Sequence, residues 1–343
     1  MTTTIKDIAR MSGVSTATVS RVINQQGGYS SEIKARVLQV IEQTGYRRNE
    51  QARNLVQQAS RTIGIIMPHM TTSFYGKIVS AIEDEATLWG YSVIITHAGV
   101  EGIQFRARMG MMMERRVAAL MIFSMTLSKD DIDLIKDSHI PVLLIATEAI
   151  GTRLPYIKID DYAAAFTATS YLIEQGHQHI GMIGFNPQDA IAGRPRYRGF
   201  LDAMEEHGFQ VDEDWIAYGD FSFNAGREGL DLLMKAKCPV TAVFCASDEV
   251  AMGVIHQSYR RQIQIPKDLS VIGFDNSEVA KMATPALTTV SQPFYEMGRK
   301  GCKRILASLQ RGEEMISQII PYELIERETV FPRTREIFSE SRT

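Results

Sequence analysis

"STATVSRVINQ", residues Ser15–Gln25, places small hydroxyl side chains, one arginine and one asparagine on a segment whose apolar positions repeat with a helical period. Val19, Val22 and Ile23 fall at i, i+3 and i+4, so they share one face and turn inward. At about 100° per residue, Ala17, Arg21 and Asn24 then point away from that face, with Thr18 and Ser20 on its flanks. Just upstream, Ile5, Ile8 and Ala9 make a second apolar stripe, and "SGVS" (Ser12–Ser15) breaks the helix between them. Gly13 is free to take the positive φ of a tight turn, and Ser15 can cap the first amides of the following helix. A third stripe, Ile33, Val37, Val40 and Ile41, closes a three-helix core. The spacing predicts a helix-turn-helix, whose second helix can enter a DNA major groove while the first crosses the backbone.

The charge distribution points the same way. The 343-residue chain carries a net charge of −3, yet residues 1–60 hold eight lysines and arginines against four carboxylates. A basic head of +4 is therefore joined to a body of −7, the pattern of a nucleic-acid-binding module on a body that avoids nucleic acid. No run of about 18 apolar residues is present, so no membrane-spanning helix and no membrane partner are expected. The first residues, "MTTTIKDIARMSG", lack the apolar core of an export signal, so export is not expected and a cytoplasmic location is. The three cysteines, Cys238, Cys245 and Cys302, are expected to be buried free thiols.

"TIKDIARMSGVSTATVSRVIN" (Thr4–Asn24) resembles the DNA-binding head of the lactose-repressor (LacI/GalR) family of bacterial transcription regulators. The likeness runs through nearly the whole chain: "ARNL" (Ala52–Leu55), "GHQHIGMIG" (Gly176–Gly184), "RYRGF" (Arg196–Phe200), "IPKDLSVIGFDN" (Ile265–Asn276) and "PALTTVSQP" (Pro285–Pro293). The resemblance implies an α + α/β protein with a helix-turn-helix head (1–48), a hinge helix (49–60), a two-lobed periplasmic-binding-protein-like α/β body (61–333) and a tail (334–343). Lobe one would take residues 61–160 and 292–320, and lobe two residues 161–291 and 321–333.

In the head, Arg21 can make a bidentate pair with guanine O6 and N7, and the methyls of Thr16 and Ala17 can touch thymine methyls. Thr18, Ser20, Asn24 and Ser31 suit the phosphate backbone or its margin. The hinge "NEQARNLVQ" (Asn49–Gln57) is too short to hold a helix alone in water. The resemblance implies that it folds on DNA beside its twin, with Arg53 in the contact and Leu55 wedged into the minor groove. Arg48 stands where the family usually carries proline.

From Thr62 onward the pattern changes. Near-continuous apolar runs, "TIGIIMP" (62–68), "YSVIITHA" (91–98), "VAALMIF" (117–123) and "IPVLLIA" (140–146), alternate with amphipathic stretches such as Tyr75–Gly90. "HIGMIGF", "TAVFCAS" and "LSVIGFD" form a second series. Buried parallel strands alternating with helices are the reading, in two halves with a cleft at the strand ends. The residues expected to hold an effector there are Phe74, Tyr75, Arg196, Phe221, Ser247, Asp248 and Asp275. The aromatics suit a sugar face or a flat base, and the arginine and carboxylates suit paired hydroxyls. Two positions depart from the family: Ser247 replaces a frequent asparagine, and Ala146 stands where aspartate is common.

Other patterns carry less. His177 and His179 lack a third ligand at suitable spacing, so no metal is expected, and "GMIGF" lacks the third glycine of a dinucleotide fingerprint. Met109 and Met111–Met113 read as helix core. No catalytic arrangement stands out, and neither enzyme activity nor a cofactor is expected. The expectation is a homodimeric regulator, in all likeness to the family a repressor, that binds a pseudo-palindromic operator and answers to a small sugar. The alternative within the family is a catabolite-control regulator whose partner is a phosphorylated carrier protein, to which Tyr295 and Lys303 point. A solute-binding transport protein is the distant alternative. The tail "FPRTREIFSESRT" (331–343) has no leucine heptad for a coiled-coil tetramer.

Overall fold

Ile5–Ser12 (α1) begins at a capping box in which Thr4 and Asp7 satisfy each other's backbone amides, and it ends at Gly13 with φ +67°. That left-handed residue turns the chain into α2 (Thr16–Ile23), capped by Ser15, whose Oγ accepts from Thr18 N at 3.1 Å. α3 (Ser31–Thr44) starts at the Ser30 cap and stops at left-handed Gly45. Ile8, Ala9, Val19, Val22, Val37 and Val40 bury a shared core between the three helices, each larger member contributing roughly 1.5–3 kcal/mol of burial.

The computed structural model describes residues 4–23, 27–45, 60–68 and 75–333. The hinge at 49–57, with Arg53 and Leu55, lies outside the described residues, as do Asn24, Phe74 and the tail 334–343. The chain divides into two compact units, Met1–Ser60 and Arg61–Thr343.

The second unit is built on two six-stranded sheets. In the first, β1 (Thr62–Met67), β2 (Ser92–His97), β3 (Ala119–Phe123), β4 (Val142–Ile145) and β5 (Tyr156–Lys158) lie parallel in the order β2-β1-β3-β4-β5, and β11 (Gln318–Ile319) joins at the β5 edge. In the second, β6 (Ile180–Phe185), β7 (Ile216–Tyr218), β8 (Ala242–Cys245), β9 (Ser270–Asp275) and β10 (Thr288–Ser291) repeat that order as β7-β6-β8-β9-β10. β12 (Glu323–Ile325) runs antiparallel at its edge. The central strands read as unbroken apolar runs because helices cover both faces of a parallel sheet. On lobe one these helices are α4 (Tyr75–Leu88), α5 (Phe105–Glu114) and α6 (Lys129–Asp137). On lobe two they are α7 (Asp161–Glu174), α8 (Gly193–Glu206), α9 (Phe223–Leu233), α10 (Asp248–Arg260) and the short α11 (Glu278–Met282).

The chain leaves lobe one after β5 and returns after β10, where α12 (Phe294–Arg311) packs on α4 around Ile78, Ile82, Met297 and Ile305. It then crosses a third time between β11 and β12. On α5, Met109 and Met112 are buried while Met113 faces out. Cys245 and Cys302 are buried, but Cys238 is half-exposed with Sγ 3.4 Å from His179 Nδ1, which corrects the expectation of three buried thiols. His177 and His179 have different partners: the first sets Nδ1 against Thr241 Oγ1 at 2.9 Å, and the ring of the second lies tilted against Trp215, centroids 5.2 Å apart.

Candidate DNA-binding head and effector cleft

On α2, Thr16, Ala17 and Arg21 are exposed and Thr18 and Ser20 half-buried, while Ser31 stands exposed at the first turn of α3. The inward turn of Val19 and Val22 leaves this outer face to short side chains, so the backbone can approach a duplex closely. Arg21 reaches over Gly28, where a methyl group would sit 3.1 Å from its Nη1. Gly28 has φ +76°, so its lack of a side chain serves both the turn and the room for Arg21. Thr18 is more engaged than its place in the sequence suggests, because its Oγ1 lies 2.9 Å from the capping Oγ of Ser15.

In both sheets of the body the strand order reverses beside the first strand, between β1 and β3 and between β6 and β8. Ligands of doubly wound folds bind at such switch points, outside the carboxyl ends of the strands. Five non-glycine residues at strand ends or in the following loops have a positive φ: Ser124 (φ +40°), Ala146 (φ +52°), Phe221 (φ +63°), Asp275 (φ +120°) and Asn276 (φ +53°). Such backbone is costly for a side chain and gathers where function needs it.

Tyr75 opens α4 of lobe one. It is buried, hydrogen-bonded to Ser124, and close enough to feel the Asp275 carboxylate of lobe two; burial first, then that charge, pushes its phenol pKa up. Asp275 ends β9 and is 4% exposed, and Gln292 Nε2 donates to its Oδ1 at 2.7 Å. Burial drives its carboxyl pKa well above the ordinary value, Arg196 pulls it back, and Asp248 and Glu249 raise it further. Arg196 comes from α8. Its guanidinium stacks 3.6 Å from the centroid of Phe274 and 5.9 Å from that of Phe221.

Three of the residues expected to meet a ligand are already engaged by the protein. Arg196 gives Nε and Nη2 to Asp161 Oδ1 at 3.0 and 2.8 Å and Nη1 to Ala246 O at 2.6 Å, which leaves two of its five N–H bonds. Ser247 caps α10 by accepting from Val250 N and donates to Phe221 O at 2.8 Å, fixing the loop that carries that ring. Asp248 is fully buried. Its Oδ2 accepts from Ser277 N (2.7 Å) and Ser277 Oγ (2.8 Å), and its Oδ1 from Thr289 Oγ1 (2.6 Å). The geometry makes Asp248 a brace between α10, the turn after Asp275, and β10, in place of the ligand contact expected for it.

Three cleft residues escape the sequence reading. Gln292 lies in the quoted "SQP", Ser124 ends an apolar run, and Asp161 follows β5 as one of two consecutive aspartates with no local signal at all.

Comparison with known proteins fits this arrangement. Residues 4–49 match the family described as bacterial regulatory proteins, lacI family, and residues 169–330 match a periplasmic binding protein-like domain. Catabolite control protein A of Priestia megaterium is 33% identical over 320 residues, covering 93% of this chain and 96% of the relative. The transcriptional repressor CytR of Escherichia coli (strain K12) is 35% identical over 308 residues, covering 90% of each. A solved complex of the transcriptional regulator CelR with cellobiose superposes with a TM-score of 0.73 at 26% identity, over 95% of this chain and 99% of that one. The chain belongs to the lacI family of bacterial regulatory proteins and is a DNA-binding regulator of transcription.

Proposed function

We propose that the protein is a homodimeric repressor whose two heads bind a pseudo-palindromic operator and whose cleft binds an uncharged sugar or sugar derivative that sets its DNA affinity. In this reading Arg21 contacts guanine, Thr16 and Ala17 contact thymine methyls, and Ser20, Asn24 and Ser31 hold phosphates. The hinge, with Arg53 and Leu55, docks in the minor groove. The observation that carries the effector reading is the gathering of Tyr75, Arg196, Phe221 and Asp275 at the strand ends of two facing switch points; Phe74, beside Tyr75, belongs to the same proposed site. The cellobiose bound by CelR supports a sugar. An uncharged ligand fits because Asp161 already balances Arg196, so a phosphate would meet no spare cation there. Binding shifts the population of lobe arrangements, and with it the spacing of the hinges.

A second reading has its own observation. On α12, half-exposed Tyr295 donates to Asp84, Lys303 lies 3.7 Å from Glu85, and Lys300, Lys303, Arg304 and Arg311 line a groove of about 440 Å³. A phosphorylated carrier protein could dock there, as the likeness to catabolite control protein A suggests.

Operator fragments selected from random duplexes, titrated with the full chain and followed by fluorescence anisotropy, test both. A panel of neutral sugars should shift the operator curve, and a phosphorylated carrier protein alone should not. The reverse outcome overturns the first reading in favour of the second. In the same assay Leu55→Ala should weaken operator binding at least tenfold and leave sugar affinity unchanged; equal loss of both refutes the hinge assignment.

A further inference from the structure

Arg196 does not stand in the cleft by packing alone. Both of its hydrogen bonds to Asp161 fall on one oxygen, Oδ1, and the other oxygen faces Lys158 Nζ at 3.7 Å. Lys158 in turn pairs with Glu148 Oε1 at 3.0 Å. Glu148 follows β4 and Lys158 ends β5, both in lobe one, whereas Asp161 opens α7 in lobe two and Arg196 sits on α8 behind it. The four side chains thus run in series from lobe one, across the first chain crossing, to the cation of the cleft. Asp161, Lys158 and Arg196 are each less than a tenth exposed, and the set holds two charges of each sign, so no net charge is buried.

From this series we infer that Asp161 is a positioning residue of the effector cleft: it fixes the plane of the Arg196 guanidinium and ties it, through Lys158, to lobe one. The inference rests on the reading of the cleft as the effector site. Without the Asp161 charge the guanidinium keeps its place over Phe274 and its bond to Ala246, but the two bonds that complete the setting of its rotation are weakened. Its two remaining N–H bonds then no longer point one way. Because Oδ2 of the same carboxylate faces Lys158, a rotation of the lobes about the crossing pulls on the group that aims Arg196. A ligand held by Arg196 and the angle between the lobes therefore share one carboxylate.

The test begins without any ligand. The Nε–H resonance of Arg196, assigned in the full chain by its loss in Arg196→Lys, should exchange slowly with solvent in the wild type. In Asp161→Asn, which keeps the shape and one acceptor, exchange should quicken at least tenfold while the thermal transition of the body survives. Unchanged exchange overturns the inference. Cellobiose, ribose and further neutral sugars are then titrated calorimetrically: any that binds the wild type should bind Asp161→Asn at least tenfold more weakly. Faster exchange with undiminished sugar affinity also overturns it. If no sugar binds the wild type, the cleft reading fails on its own, and the exchange measurement still decides whether Asp161 fixes Arg196. Should Asp161→Asn fail to fold, Lys158→Met carries the test. It should leave the Nε–H protected and weaken sugar binding about threefold, and full sugar affinity in that variant overturns the tie to lobe one.

Discussion

Removing the Asp248 carboxylate separates a brace from a ligand contact. In Asp248→Ala the amide and hydroxyl of Ser277 and the hydroxyl of Thr289 lose their acceptor inside the protein. The two hydroxyls can turn to other acceptors, but the Ser277 amide is fixed by the backbone and stays unpaired. One orphaned buried donor costs about 1–3 kcal/mol, and the lost charge-assisted bonds add to it. A loss of about 3 kcal/mol is expected, on the order of a hundredfold in the folded-to-unfolded ratio. Asp248→Asn should behave differently. Its carbonyl oxygen can serve Ser277, and its amide can donate to Thr289 Oγ1. Burial, outweighing these hydrogen bonds, lifts the Asp248 carboxyl to about 6. A carboxyl whose folded pKa lies above its unfolded value of about 3.8 holds its proton better when folded, so its contribution is most favourable at low pH and declines as pH rises through 6. The asparagine variant escapes that decline, and above pH 6 it should match or exceed the wild type. Thermal unfolding of the three proteins between pH 5 and 8 checks this. The reasoning fails if asparagine destabilises as much as alanine at pH 7.5, or if alanine abolishes sugar binding while leaving stability intact.

In the head, Ser15→Ala removes the cap of an eight-residue helix and should cost about 1 kcal/mol. Calorimetry should show the head's transition falling by several degrees with the body's unmoved, and an unshifted head transition refutes the cap. His177 is 1% exposed, and burial, with the nearby Arg333 charge, pushes its pKa down to about 4. The unfolded chain therefore binds that proton first, so the neutral imidazole's contribution, about 3 kcal/mol, is full above pH 6.5 and lost as pH falls through 4. His177→Gln should flatten the acid limb of the body's stability curve; an unchanged limb would count against it. Across the cleft, Lys77 on α4 pairs with Glu278 on α11 at 2.8 Å. Small-angle scattering should find a larger radius of gyration for Lys77→Glu and for Glu278→Lys, recovered in the double reversal, with 0.5 M salt erasing the differences; a double reversal as open as the singles would disprove the clasp.

How much of this was legible in the sequence depends on the range over which each feature is decided. The helix stripe of Val19 and Val22 and the turn at Gly13 are local, and a period of 3.6 with one glycine is enough to read them. The inner strands are nearly as plain, because burial on both faces leaves an unbroken apolar run such as Val117–Phe123. β5, β7, β11 and β12 are two or three residues long and offer no period to read. The resemblance pointed to Arg196, Phe221 and Asp275, but not to what each is bonded to. Asp161 lies 35 positions from Arg196, and Asp248 reaches 29 and 41 positions to Ser277 and Thr289. Partners at such range are chosen by the packing of helices, and composition around either residue gives no sign of them. That is why Asp248 reads as a ligand contact in the sequence and as a brace in the fold.

The placement of these polar groups has a mechanical reason. Where two lobes turn about their connecting strands, residues at the crossings move least and those at the cleft's mouth move most. The first crossing carries Asp161, bonded to Arg196. The second carries Gln292, bonded to Asp275, with Asn276 Nδ2 donating to Ser291 Oγ at 3.1 Å beside it. The third carries Tyr322, whose hydroxyl lies 2.9 Å from Thr167 Oγ1 on α7. The cleft's arginine and carboxylate are thus each held from a pivot, while Lys77 and Glu278 span the mouth. In the proposed reading, a ligand bonded to Arg196 and Asp275 works on groups already fixed to the axis, so a small change in hydrogen bonding there biases the lobe angle without first deforming either core. Interiors packed this closely switch between discrete arrangements more readily than they bend. Grafting an aspartate onto Ala146, the strand end where the family commonly carries one, adds a further carboxylate to a region that already holds Asp161 and Asp275. If Arg196 is held from the pivot, Ala146→Asp should leave its Nε–H exchange unchanged; a transfer of Arg196 to the new carboxylate would show that the pivot does not hold it.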